Sequence, residues 1–446
     1  MSLLNRLTIH EASELIRSGD ITPVELVNDC LDRIKEIDDK VLAWREVDED
    51  RAIESAKLLS KEAREGKIRS PLHGIPIGVK DIFDVADLPT RAGTEIWEDI
   101  APSEKDSNIV ARLRELGAII IGKTHTTKFA FYDPAPTRNP YNTCHTPGGS
   151  SSGSAASISS DMALLTIGSQ TNASVCRPAA YSGVVGFKPT TNSIKMEGVR
   201  PLAPTFDSLG FFGQHVRDVA EGYQPFSKRS QKEFDDLLSG LHHSHVGVVS
   251  DPLYSKASSD VQELQKEAVL KLRANNFEIK EVTPPRPFEN LIEIHQTVMA
   301  YEASQNYSEL VKKHHIDGKF AKLVKDGEQI SEKTYKNALS DINVSKNEMW
   351  DLFNSFDVLL APPTDTSAPE GIGWTGNPSF TTPWVIFGGP LLVIPGEVDH
   401  KGLPLATMLA SAPGTDLDLI KNGLSIERIM DFSPRPTFKL NHDRSN

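Results

Sequence analysis

The chain has 446 residues, 38% hydrophobic and 24% charged, with a formal net charge of −13; this balance supports a packed core under a solvated surface and excludes wholesale disorder. The negative charge excludes nucleic acid or an anionic membrane as the main partner, because both select a basic face. Three cysteines, Cys30, Cys144 and Cys176, match neither a disulfide framework nor a zinc site, and no run of about eighteen apolar residues offers a membrane span, so a soluble cytoplasmic chain is expected.

The chain opens on helices. Thr8 with Glu11, and Thr22-Pro23-Val24-Glu25, match the reciprocal cap in which a hydroxyl and a glutamate satisfy two orphan backbone N–H groups; the second has proline at the first helical position, where a missing N–H costs nothing. Val27, Cys30, Leu31, Ile34 and Ile37 then recur at helical spacing and predict a buried stripe, with Cys30 a small core residue. At Gly74 the texture changes to Gly74-Ile75-Pro76-Ile77-Gly78-Val79-Lys80-Asp81-Ile82-Phe83-Asp84-Val85, a short apolar run interrupted by one lysine. Such a lysine either snorkels from an edge strand or has its amine wanted inside. A helix over 109–116 and a strand over 118–121 follow. Residues 117–124 spell G-x-x-x-x-G-K-T, but the four intervening residues are the strand itself, so a phosphate-cradling loop is set aside.

The stretch 148–178 holds two polar turns, Gly148-Gly149-Ser150-Ser151-Ser152-Gly153-Ser154 and Gln170-Thr171-Asn172-Ala173-Ser174-Val175-Cys176-Arg177-Pro178, around a helix-compatible 154–160 and a strand-like 162–167. Glycine allows close backbone approach and serine supplies hydroxyls, so the pair reads as a reaction centre, although the first turn taken alone reads equally as a linker. Segments 181–189 and 210–213 are compact and glycine-rich, as beside a buried site. From 223 to 356 the chain is more polar and more helical: Ser259 with Gln262 predicts a capped helix with Val261, Leu264, Ala268 and Leu272 on its apolar face, then come a strand over 277–282 and helices over 290–313 and 332–356. The pairs His242-His243 and His314-His315 lack metal-ligand spacing and read as solvated surface. Core strands at 357–363, 391–395 and 403–409 and a helix from Asp416 close the chain, and the Gly/Pro/Ser/Thr-rich 364–382 is long enough to loop over a site. Strands alternating with helices predict an α/β architecture.

A serine hydrolase needs a nucleophile, a base and donors for the developing oxyanion. Gly149-Ser150-Ser151-Ser152-Gly153 fits G-x-S-x-G, with Ser151 as nucleophile, but 139–147 is turn-rich where a nucleophile elbow requires a strand. His215, His295 and His400 are available as bases, yet none has a distinctive setting. A lysine can serve instead when burial keeps its amine neutral, and Lys80 is the best placed.

Gly78-Val79-Lys80-Asp81, the 148–156 and 168–178 segments and Gly183-Val184-Val185-Gly186-Phe187-Lys188-Pro189 together resemble the amidase signature family in order and spacing. The separations, 150 − 80 = 70 and 174 − 150 = 24 residues, fit that family's layout. The resemblance implies one large domain over 1–446 with a mixed, mostly parallel central β-sheet covered by helices on both faces: an N-terminal helical region (1–70), a signature core (71–222), a variable helical region (223–356) and C-terminal strands and a helix (357–446). It implies Ser174 as the acyl-accepting nucleophile, Ser150 as a bridging serine after a cis peptide, Lys80 as the base, and N–H groups of Thr171, Asn172, Ala173 and Ser174 for the oxyanion, with Gly149, Gln170 and Tyr132 as further binding residues. No metal or organic cofactor is implied. The partner is a small-molecule amide, and a homodimer is compatible with the reading. Gln170 stands where aspartate is usual, Asn172-Ala173 replaces a glycine pair, and Cys176 then Arg177 replace an earlier arginine; a branch of the family shares the glutamine and the later arginine, and Cys176 reads as packing. Alternatives are an amidotransferase component releasing ammonia from glutamine or asparagine for a partner protein, and a non-catalytic ligand-binding member of the fold.

Overall fold

Among the described residues, eleven strands form one sheet. They are β1 (Trp44–Val47), β2 (Pro76–Lys80), β3 (Ile119–Thr124), β4 (Leu165–Gln170), β5 (Val185–Lys188), β6 (Ser208–Gly213), β7 (His245–Val249), β8 (Glu278–Val282), β9 (Val358–Ala361), β10 (Leu391–Val398) and β11 (Pro404–Ala410). The computed structural model describes residues 3–239, 244–432 and 434–438. The sheet runs β1-β3-β2-β4-β6-β5-β10-β11-β9-β7-β8, with helices packed against it. Every residue of β2, β3, β4, β5, β6, β9 and β11 is buried, which explains their near-continuous apolar runs: a sheet covered on both faces has no polar side to alternate with.

The sheet is mixed, as expected, and its two hands are segregated. Parallel pairing joins β3–β2–β4 and β9–β7–β8, where helices make the crossovers, and the other six neighbouring pairs are antiparallel. Parallel pairs are thus four of the ten and sit in two groups, around β2 in the signature core and around β7, while the strands between these groups pair antiparallel. Strands β2 and β4 run in parallel with Val79 opposite Ile167, so Lys80 and the end of β4 emerge at the same edge. That edge is formed by the carboxyl ends of parallel strands, where α/β sheets open a crevice.

The local signals near the N-terminus are borne out. Thr8 and Thr22 each cap a helix reciprocally, with Glu11 and Glu25, and Val27, Cys30, Leu31, Ile34 and Ile37 are buried. Strand β3 occupies Ile119–Thr124, and Lys123 within it is buried 2.8 Å from Asp81, so residues 117–124 make no phosphate loop. Other expectations shift. β4 begins at Leu165 rather than 162, because the chain first turns through Asp161 at φ 59°. The cap expected at Ser259 belongs to Ser258, whose side chain accepts from Val261 N, while Gln262 reaches back to the Ala257 carbonyl. Between the two long helices, Phe288–Lys313 and Glu332–Ser355, lies a third, Gly318–Glu328. His314 and His315 are exposed, and His242-His243 lies outside the described residues. No helix among the described residues is long and apolar enough to cross a membrane.

Candidate active site

The end of β2 delivers Lys80 into a buried cluster of hydroxyls. Its side chain is fully buried, with Nζ 2.7 Å from Ser150 Oγ, 3.0 Å from Ser151 Oγ and 2.9 Å from Ser169 Oγ. No carboxylate among the described residues pairs with it directly. Burial pushes its pKa down from 10.5 to about 7, opposed only in part by the charge of Asp207. Ser150 follows a cis peptide from Gly149 at the entry to the helix Ser152–Ser159. Gly168 backs the cluster: a Cβ there would sit 2.7 Å from Ser151 Oγ, so a larger residue would push the hydroxyls off the amine. No strand leads into Ser151, since 131–151 is irregular, and its hydroxyl donates to the Ser169 carbonyl at 3.1 Å, so it is not an elbow nucleophile.

Ser174 sits in the turn after β4. It lines one narrow cavity together with Ser150, Thr171, Asn172, Tyr132 and Arg177, of about 10 Å³, space for roughly one water. The Ser174 hydroxyl has no hydrogen-bond partner among the described residues, and the backbone N–H groups of Thr171, Asn172, Ala173 and Ser174 likewise meet no acceptor among them. Four unspent donors in one turn next to a free hydroxyl are what an oxyanion-stabilising turn requires. A larger cavity of about 450 Å³ shares Ala130, Thr171 and Leu202 with it and also reaches Ser169 and Asp207.

The remaining expected residues divide. Tyr132 and Asn172 line the narrow cavity, with Asn172 Nδ2 3.3 Å from the Tyr132 hydroxyl and its Oδ1 accepting from Thr382 Oγ1 at 2.6 Å. Gly149, Gln170 and the Ala173 side chain do not reach the cavity wall. Gly149 turns its carbonyl to Arg177, 2.8 Å away. Gln170 is a buttress: its Oε1 accepts from Val175 N (2.8 Å) and Cys176 N (3.0 Å) and holds the entry to the helix Cys176–Ser182. Cys176 is buried, and burial pushes its thiol up to about 12, consistent with packing rather than nucleophilic use.

Arg177 is 2% exposed and meets no carboxylate within hydrogen-bonding reach among the described residues. It donates to the Gly376 carbonyl (2.7 Å), the Gly149 carbonyl (2.8 Å) and Thr375 Oγ1 (3.1 Å), so it staples both serine turns to the loop expected over the site. That loop acts from behind, through Arg177 and Asn172, while residues 130–132 and Met299 line the cavity directly. Sequence reasoning missed Ser169, Asp207 and His295. Ser169 stands one residue before the second turn, a position the turn itself could have flagged. Asp207 accepts from Thr171 Oγ1 at 2.5 Å and from the N–H groups of Leu202 (2.8 Å) and Ala203 (3.1 Å), and burial raises its pKa against these bonds. His295, placed above among histidines without a distinctive setting, is fully buried with Nε2 2.8 Å from the Thr171 carbonyl. His215 and His400 instead pair with Glu427 and Asp260, with nothing of the site beside them.

A family model described as Amidase matches residues 25–420. Similar proteins include a glutamyl-tRNA(Gln) amidotransferase subunit from Desulfotalea psychrophila, 28% identical over 96% of this chain and 98% of that one, and its counterpart from Geobacter sp., 28% identical over 95% and 97%. Among solved structures, one described as a crystal structure of amidase superposes with TM-score 0.86 at 29% identity, covering 95% of this chain and 99% of that one. The native peptide amidase from Stenotrophomonas maltophilia shares the fold at TM-score 0.83 and 23% identity, covering 97% and 99%. The chain therefore belongs to the amidase signature family, whose enzymes act on carbon–nitrogen bonds.

Proposed function

We propose that the protein hydrolyses a carboxylic amide through a Ser174–Ser150–Lys80 relay and an acyl-enzyme. The observation that carries this reading is a buried lysine amine 2.7 Å from Ser150, with Ser150 and Ser174 opening on one cavity. A proton inventory gives the relay its direction. A neutral Lys80 has two N–H donors and one lone pair for three hydroxyl neighbours. Ser151 spends its proton on the Ser169 carbonyl, so it accepts from Lys80. With Ser169 taking the second N–H, the Ser150 hydroxyl is free to turn its proton to the amine lone pair, and its oxygen is then open to take the proton of Ser174, whose hydroxyl has no partner among the described residues.

In the reaction, Ser174 Oγ attacks the amide carbonyl while its proton passes to Ser150 and that of Ser150 to Lys80. The oxyanion is held by N–H groups of the 171–174 turn. The C–N bond breaks as the same protons return to the leaving amine, and water, deprotonated by the same route, releases the acid. The 450 Å³ cavity beyond Ala130 and Leu202 offers room for the part of a small or medium substrate outside the amide. A fluorophosphonate followed by peptide mapping places the adduct on Ser174; folded protein left unlabelled at Ser174 refutes the relay.

A second reading is favoured by the names of the relatives: an amidotransferase component releasing ammonia for a partner protein. Turnover of simple amides by the chain purified alone supports the hydrolase. Activity that appears only on adding a partner supports the amidotransferase.

A further inference from the structure

The helix Phe288–Lys313 belongs to the region with no signature motif, yet it grips the 171–174 turn and the loop beside it. His295 lies fully buried on this helix, its ring stacked on Phe206 at 4.4 Å and 22°, with Nε2 2.8 Å from the Thr171 carbonyl. A carbonyl only accepts, so Nε2 carries the proton; Nδ1 is buried without a partner among the described residues and is therefore the bare nitrogen of a neutral ring. Burial lowers the ring's pKa to about 4, keeping this tautomer across the neutral range. Seven residues along the same helix, Glu302 accepts from Thr205 N at 2.9 Å and from Thr205 Oγ1, and Tyr335 donates to it at 2.7 Å. The loop so held carries Asp207, which grips the Thr171 hydroxyl.

Thr171 is thus clamped at both ends, by its carbonyl and by its hydroxyl. The geometry of the peptide unit makes the carbonyl clamp consequential. In a planar trans peptide the C=O and the following N–H point in opposite directions, so fixing the Thr171 carbonyl fixes the Asn172 N–H. That N–H has no acceptor among the described residues, and Asn172 lines the cavity of Ser150 and Ser174. We propose that His295 is a positioning residue which, by holding the Thr171 carbonyl through Nε2–H, aims the Asn172 N–H at the oxyanion that forms on Ser174. The ring touches neither nucleophile nor base; it acts through one backbone peptide. The inference rests on the hydrolase reading above.

The test compares three full-length variants by the rate of phosphonylation of Ser174 with a fluorophosphonate probe, resolved into a limiting rate and a half-saturating concentration. His295→Phe keeps a ring against Phe206 and removes the donor; His295→Met removes both; His295→Gln keeps an N–H near the Nε2 position. Loss of one oxyanion donor costs about 100- to 1,000-fold, and a misaimed one less, so the limiting rate of His295→Phe is expected to fall about 10- to 100-fold with half-saturation unchanged. His295→Gln is expected to stay within about threefold of wild type, with the acid limb of its pH–rate profile unmoved, because neutral His295 is not the base. A folded His295→Phe or His295→Met that labels at the wild-type rate overturns the inference, as does a folded His295→Gln that labels more than tenfold slower. The Gln arm decides the matter if neither donorless variant folds. Wild-type protein that fails to label Ser174 refutes the hydrolase reading itself and is thereby distinguishable.

Discussion

The base in this mechanism works only as a free amine, so activity should follow the ionisation of Lys80. Its pKa is lowered from 10.5 to about 7, chiefly by burial. Below pH 7 the reactive fraction falls toward tenfold per unit, to roughly a tenth at pH 6 and about one part in a hundred at pH 5, with a plateau above about pH 8. The phosphonylation rate of Ser174 measured from pH 5 to 9 reads this limb directly. The same shift must appear in stability, and its sign is fixed. Between pH 7 and 10.5 the unfolded chain holds a proton on Lys80 that the folded chain has lost, so folding gains stability as pH rises through that window and has no such slope below it. Against Lys80→Met, which has no proton to lose, the wild-type unfolding free energy should rise with a slope that grows from about 0.7 kcal/mol per unit at pH 7 toward about 1.4 above pH 8, roughly 2 kcal/mol from pH 7 to 9. Denaturant titrations of the two proteins at several pH values supply the difference. A difference that stays flat from pH 7 to 9, or a labelling limb centred above pH 9, would show that Lys80 is an ordinary charged lysine and cannot take the proton from Ser150.

Three further outcomes follow from the surroundings of the cluster. Asp207→Asn removes the charge that raises the Lys80 pKa, so the acid limb of the labelling profile should move to lower pH; a shift to higher pH refutes the coupling. Arg177→Met leaves the carbonyls of Gly149 and Gly376 unpaired inside the protein, at about 1–3 kcal/mol for each, and should lower the thermal midpoint while slowing phosphonylation; unchanged values of both would deny the staple between the turns and the 375–376 loop. Lys123→Met strands the carboxylate of Asp81, 1% exposed, and should cost about 3–5 kcal/mol in chemical denaturation, whereas a loss below about 1 kcal/mol would mean that Asp81 is protonated or reaches water.

What the sequence disclosed was local. Thr8 with Glu11 and Thr22 with Glu25 are caps closed within four residues, and both formed as written. The lysine in an apolar run announced itself because a charged side chain is rarely built into such a run without a reason. The two serine turns were legible because glycine and serine at those densities are costly anywhere except at a turn or a site. The Ser259 cap slipped by one because two adjacent serines compete for the same position and only the approach angle of the chain decides. The helix Gly318–Glu328 went unread because it is a short element between two long ones, opening on a glycine. The segregation of parallel and antiparallel pairs depends on which strands become neighbours, and no periodicity records that.

Apart from Ser169, which accepts from the Lys80 amine, the residues whose supporting roles went unread share one property: they act on backbone. His295 holds a carbonyl, Gln170 holds two N–H groups, Asp207 holds two more and a hydroxyl, and Arg177 holds two carbonyls. A residue that reacts must be of one chemical type at one spacing, so it leaves a motif. A residue that aims a peptide needs only a donor or acceptor arriving from any direction, and here it arrives from 121 residues beyond Ser174 along the chain in the case of His295. The division is physical. In the proposed mechanism the signature turns carry the reacting atoms and the unspent N–H groups, and the segment between β8 and β9, through His295, fixes where the Asn172 N–H points. A substitution in that segment can therefore alter the aim of the Asn172 N–H without touching Lys80, Ser150 or Ser174, and a change of helix register by one residue around His295 would release Asn172 while those three side chains stayed in place.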